Sequence, residues 1–284
     1  MTWGPRALIV AVWALCLVGV SMRAQGVAGD TGALLSRVGE YVEAYYSQAQ
    51  SMVAVETVTI QNVGRDMAGD GFPRRFVYNL RVEWTPAGDG PPDAQLTREL
   101  VSVNGRPPKA GDEPHCTAPR PITPEPLAMF LRPRQGDFIF DRSERTELDR
   151  RAATRLDYRL RRPEPDVVSW DRECVSMSFP ARLRGRVWID ERSGEVLRLD
   201  EGSTGPVEVV PPREQQRRGA GGVLVFERFS VSIRYRAVTF REPDETLLLP
   251  ASIDSLTMAR HGGTRRIQTY SGYRRFVTEG RLVP

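Results

Sequence analysis

The strongest constraint on this chain is a period of two. Phe229, Val231, Ile233 and Tyr235 alternate with Ser230, Ser232, Arg234 and Arg236. In an extended strand successive side chains point to opposite faces, so one set is buried and the other solvated. Phe76, Tyr78, Leu80, Val82 and Trp84 alternate in the same way with Val77, Asn79, Arg81 and Glu83. So do Leu156, Tyr158 and Leu160 with Arg155, Asp157, Arg159 and Arg161. The best-defined instance is 185–202. Val187 and Ile189 alternate there with Arg186, Trp188 and Asp190, and Leu197 and Leu199 with Val196, Arg198 and Asp200. Asp190 suits the start of a type I turn and Gly194 the positive-φ residue that closes it, so the segment is a hairpin.

Further strands are expected at Val53–Gln61, at Leu96–Val103 ending in the Asn104-Gly105 turn, and at Phe138–Phe140. The last two run over Ala251–Met258 and Thr264–Phe276, joined at His261-Gly262-Gly263. About ten or eleven strands joined by short turns predict an antiparallel meander. Two helices interrupt it. Leu34, Leu35, Val38, Tyr41, Val42 and Tyr45 recur at helical spacing, predicting a helix over 31–50 capped by Asp30 or Thr31, with Tyr45 and Tyr46 as core residues. Thr123-Pro124-Glu125 reads as a helix start, predicting a short apolar helix over 124–131. Before it, 106–126 holds seven prolines and is expected to be irregular. A loop carrying Cys174 and a polar, mobile loop over 211–222 complete the reading.

The N-terminus reads as a secretory signal over 1–24. Arg6 precedes an apolar run from Ala7 to Val20, shorter than the roughly 20 residues a membrane span needs, and a cut fits after Ala24. Cys16 follows Leu15, which is wrong for lipidation. The expectation is a periplasmic or secreted bacterial protein with no transmembrane span after cleavage, and a single β-rich domain over 31–279. Retention of the segment as an anchor stays open. Of the 40 basic residues only Lys109 is a lysine, and they are spread among 36 acidic ones at a net charge of +4. Without a basic arm or an aromatic-basic motif, nucleic-acid binding is not expected.

The exported chain keeps Cys116 and Cys174, and an even pair there most simply forms one disulfide. It would close a loop of about 58 residues and contribute on the order of 3–4 kcal/mol by the chain-entropy argument. Free thiols, or a metal site with His115 and His261, are the competing readings; no zinc-ligand spacing supports the second. No phosphate loop, dinucleotide fingerprint or zinc-protease motif is present. Neither histidine sits in a nucleophile-elbow context. Glu144, Glu147, Asp149, Asp171 and Glu173 lie in charge-mixed stretches that suit solvated turns. No catalytic, metal or cofactor-binding residue is therefore assigned, and no cofactor is expected.

The hairpin Arg186-Val-Trp-Ile-Asp…Gly-Glu-Val-Leu-Arg-Leu199, behind an N-terminal amphipathic helix and a long meander, resembles the periplasmic outer-membrane lipoprotein carriers of the lipoprotein-sorting superfamily. Cys116-Thr-Ala-Pro through Pro124-Glu-Pro-Leu-Ala-Met-Phe-Leu, and Tyr273-Arg-Arg-Phe276, also resemble a group of uncharacterised secreted bacterial proteins. The carrier resemblance implies a mainly β fold with minor α: a strongly curved antiparallel sheet, an incomplete β-barrel, whose concave face holds helices and a hydrophobic cavity. It implies a non-enzymatic carrier for an acyl chain or other amphiphile. Phe76, Tyr78, Leu80, Val82, Trp84 and Trp188 are then the candidate cavity-lining residues. A lipid or lipoprotein acyl chain, or an envelope protein, is the expected partner. The alternatives are a structural or protein-interaction module of the envelope with a filled core, and a hydrolase.

Overall fold

The computed structural model describes residues 21–49, 51–85, 93–112, 125–162, 164–171, 174–178, 182–217, 222–241 and 244–275. The chain opens with α1 (Ser21–Gln48), then β1 (Ser51–Val63), β2 (Gly69–Thr85) and β3 (Asp93–Val103). A 3-10 turn (Glu125–Phe130) and α2 (Arg132–Gln135) follow. Next come β4 (Phe138–Leu148), β5 (Arg151–Leu160), β6 (Val167–Asp171), β7 (Cys174–Ser178), β8 (Leu183–Asp190), β9 (Val196–Ser203) and β10 (Val207–Val209). The chain ends with α3 (Arg213–Arg217), β11 (Leu224–Arg241), β12 (Asp244–Ala259) and β13 (Gly262–Arg275).

Eleven strands form one antiparallel sheet in the order β3-β2-β1-β13-β12-β11-β9-β8-β5-β4, with β10 added to β11. β6 and β7 make a separate ribbon. The meander holds within β1–β2–β3 and β11–β12–β13, but β1 also pairs with β13 over eleven positions. The edges are thus β3 and β4, strands consecutive along the chain. The Pro-rich segment 106–126 joins those two edges. Prolines cannot donate to a ladder, and the sheet is not closed into a barrel. Register shifts at Val53/Val55, Ile60/Asn62, Val77/Tyr78, Trp188/Ile189 and Arg234/Tyr235 bend the strands. The last of these faces Pro250, which has no N–H to give.

The main core lies between α1 and the sheet. Leu34, Val38, Val42, Tyr45 and Tyr46 of α1, with Ala49 just past its end, pack on Leu156, Val187, Leu199, Ile233 and Ile253. Leu127, Ala128, Met129 and Phe130 of the 3-10 turn complete it. Burying a large apolar side chain contributes about 1.5–3 kcal/mol, so this one interface carries much of the fold.

The β8–β9 turn clamps α1. The Asp190 carboxylate accepts from the Arg192 and Ser193 amides at 2.9 and 2.8 Å, and Gly194 closes the turn at φ +76°. A Cβ on Gly194 would lie 3.0 Å from the Arg37 backbone, and Arg37 donates to the Glu191 carbonyl at 2.6 Å. On the other side Gln135 donates to the carbonyls of Leu35 and Phe130 at 2.9 and 2.7 Å.

Several expectations need correction. α1 starts at Ser21, so Thr31 lies inside the helix rather than capping it, and the helix takes in the last residues of the expected signal. The central helix is a 3-10 turn followed by α2. Leu131 is extended at ψ 137° and breaks the path, and Pro133 sits early in α2, where no N–H is needed. Cys174 opens β7 instead of lying in a loop. Within 211–222 the chain makes α3, held by the Gln216 side chain donating to the Pro211 carbonyl at 2.7 Å. Glu144 and Glu147 belong to β4 rather than to a turn. Among the described residues no helix is long and apolar enough to cross a membrane.

Candidate functional site: a helix-covered interior and an outer trough

Both candidate regions follow from strand alternation. Leu156, Val187, Leu199, Ile233 and Ile253 point toward α1. Their neighbours Asp157, Arg186, Asp200, Ser232 and Asp254 therefore point away from it.

The α1 side is apolar but studded with aromatic donors. Tyr45 and Tyr46 rings meet edge to face at 5.6 Å, and Tyr46 meets Trp84 at 5.3 Å. Tyr235, on β11, is buried on the same side. Among the described residues the hydroxyls of Tyr45 and Tyr235 and the indole N–H of Trp84 are buried without a hydrogen-bond partner. Leaving a buried donor unsatisfied costs about 1–3 kcal/mol. Burial, together with the neighbouring phenols, pushes the Tyr45 and Tyr235 hydroxyls well above their ordinary pKa. They stay protonated, so each keeps a donor that no described residue accepts. Tyr273 differs, since its hydroxyl donates to the Pro250 carbonyl at 2.7 Å.

Toward β2 and β3 the same face holds a buried charge. Glu56, fully buried on β1, receives both arms of Arg98 at 2.7 and 2.9 Å and the Gln268 amide at 2.8 Å. The Tyr270 hydroxyl lies 3.3 Å from the same oxygen. The carboxylate has its partners within the protein, so it is a structural anchor joining β1, β3 and β13.

The face away from α1 carries a trough of about 980 Å3 running from Asp141 on β4 to Arg265 on β13. Most of its charges are paired. Arg265 grips Asp254 with two bonds at 3.0 and 2.5 Å, and Asp200 receives Arg198 at 2.8 Å, with Arg186 at 3.9 Å. Tyr158, Gly185 and Glu201, paired across β5, β8 and β9, point to the α1 side instead, where the Tyr158 hydroxyl donates to Glu201 at 2.8 Å; burial raises the Glu201 pKa, and this bond offsets part of that rise. The Tyr158 ring lies across Gly185, where a Cβ would come within 1.9 Å of it. Among the described residues no three metal-ligating side chains converge.

The sequence-derived candidates fall in three places. Leu80 and Trp84 are buried in the α1-covered core, with Val82 packed against it. Phe76 and Tyr78 form a second cluster with Val58, Ile60 and Val103, their rings 6.4 Å apart. Trp188 sits half-buried on the outer face, under the guanidiniums of Arg198 at 4.8 Å and Arg186 at 5.8 Å. None of the six lines the trough. The Cys116–Cys174 pairing lies outside the described residues, as do His115, Glu173 and Phe276; His261 is exposed in the β12–β13 turn. The unpaired Tyr45 and Tyr235 hydroxyls carry no sequence signal beyond the apolar stripes that hold them.

No family model matches the chain, and no curated protein matches it. Solved structures do. A LolA superfamily protein from Nitrosomonas europaea is 12% identical over 87% of this chain and 93% of its own, with a TM-score of 0.32. An outer membrane lipoprotein-sorting protein domain from Vibrio parahaemolyticus is 10% identical over 86% and 93%, at 0.35. A DUF1329 family protein from Desulfovibrio piger is 9% identical over 87% and 93%, at 0.40. The lipoprotein-sorting group that the hairpin resembles is thus among the structures this chain is similar to.

Proposed function

We propose that the protein is a non-enzymatic binding protein of the cell envelope, holding an acyl chain or other amphiphile between α1 and the sheet. One observation carries the reading: an apolar interior, roofed by one helix and a 3-10 turn, in which Tyr45, Tyr235 and Trp84 bury donors that find no acceptor among the described residues. A purely structural core gains nothing from three such donors, since Phe at Tyr45 or Tyr235 would fill the same space at lower cost. An amphiphile brings what is missing, with methylenes for the apolar wall, worth about 0.8 kcal/mol each, and an ester or carboxyl oxygen for the donors. The aromatic stripe of α1 then has two uses, packing in the empty protein and ligand contact in the loaded one.

The test is titration of a dansyl-labelled undecanoic acid into the full chain and into Y45F/Y235F. Saturable one-to-one binding is expected. The double variant should be more stable when empty, by about 1–3 kcal/mol, yet bind at least about tenfold more weakly. No saturable binding by the wild-type chain would overturn the reading, as would a double variant that binds as tightly as wild type.

A further inference from the structure

The outer trough makes a separate case. Three of its arginines, Arg159 on β5, Arg184 on β8 and Arg228 on β11, make no ion pair or hydrogen bond among the described residues, whereas Arg186, Arg198 and Arg265 in the same trough are paired. The three share one face. The β5–β8 register ends with Tyr158 opposite Gly185, so Arg159 and Arg184 each lie one residue beyond its last pair, on the outer face. Like charges close together on neighbouring strands destabilise a sheet; Asp141 and Asp157 line the same trough, yet among the described residues no acidic side chain pairs with either arginine. Beside Arg184 the floor is almost bare. Arg184 pairs with Gly202, and Gly202 with Ser230, two positions that add at most a hydroxyl. Arg228 lies two residues along β11 from Ser230 and faces the same way. A trough lined on one face by three guanidiniums that are unpaired among the described residues suits an oxyanion, which such a fork can grip with two parallel bonds.

The rest of the trough limits the ligand. Its volume is near the upper end for small-molecule sites and far exceeds one phosphate ion. Ser230, Ser232 and Asp141, which is unpaired among the described residues, offer hydrogen-bond partners for hydroxyl groups. We propose that this trough binds a small hydroxyl-rich oxyanion, a sugar phosphate or an acidic sugar, with Arg159, Arg184 and Arg228 holding the anionic group. The site is on the opposite face from α1 and does not depend on the amphiphile reading.

Calorimetric titration of the full chain with glucose 6-phosphate, glucuronic acid, inorganic phosphate and glucose tests it. At least one of the two acidic sugars should bind saturably and more tightly than inorganic phosphate, weaken as salt is raised, and give way to no heat with glucose. R159Q/R184Q should lose at least about tenfold in affinity, and R162Q, an exposed arginine outside the trough, should bind as wild type does. Fluorescent fatty-acid binding by R159Q/R184Q should match wild type, which keeps failure of the two proposals apart. The proposal is overturned if neither acidic sugar binds, if inorganic phosphate binds at least as tightly, or if R159Q/R184Q retains wild-type affinity.

Discussion

Asp190 and Glu201 sit eleven positions apart and respond to pH in opposite directions. Burial alone would raise the Asp190 pKa. The hydrogen bonds from the Ser193 amide and hydroxyl, from Arg151 and from the Arg192 amide together outweigh it and hold the carboxyl below its ordinary value. A lowered folded-state pKa means stability that is present above the unfolded value, about 3.9, and lost as pH falls through the folded one. Glu201 is raised by burial, with the Tyr158 bond only partly offsetting it, so protonation as pH falls relieves a cost. Urea denaturation at pH 7 and pH 3 checks both. D190N should cost on the order of 1–3 kcal/mol at pH 7 and less at pH 3. E201Q, which keeps an acceptor for Tyr158, should be neutral or stabilising at pH 7. A D190N penalty equal at both pH values would contradict the account.

At the scale of elements, the β8–β9 hairpin was legible down to its turn. Asp190 caps it and Gly194 takes positive φ, as the spacing predicts. Its docking onto α1 was not legible, because nothing local relates Gly194 to Arg37. G194A meets both a positive φ and the Arg37 backbone, so it should cost at least about 1–2 kcal/mol. Amide exchange should quicken in α1 while β11–β13 stay protected. R37A, which loses one exposed hydrogen bond, should cost about 1 kcal/mol or less; a G194A variant as stable as wild type would contradict the clamp. Elements without a pattern were missed for physical reasons. β6 and β7 are five residues each, too short for alternation to register. β12 runs through Pro250, normally a strand breaker, because a bulge opposite absorbs the missing donor. The β4–β5 turn uses positive φ at Asp149 and Arg150 with no glycine to announce it.

For the whole molecule, alternation is local and was read correctly as a mostly antiparallel β fold, the open sheet was expected from the resemblance, and the cap of α1 was misplaced. Pairing of β1 with β13 is not local, and only it reveals that β3 and β4 are the edges and that the Pro-rich segment joins them. The candidate site divides along the same line. The apolar lining at Leu80, Val82 and Trp84 was visible as a strand face, but the unpaired donors of Tyr45 and Tyr235 exist only because α1 folds onto β11. The central claim is that this interior takes up an amphiphile. Native mass spectrometry of the full chain, recovered from the periplasm of a bacterial host and then incubated with phosphatidylethanolamine–phosphatidylglycerol vesicles, tests it most directly. The account predicts one lipid-sized adduct per chain, depleted in Y45F/Y235F. A bare chain both before and after exposure to the vesicles would contradict it.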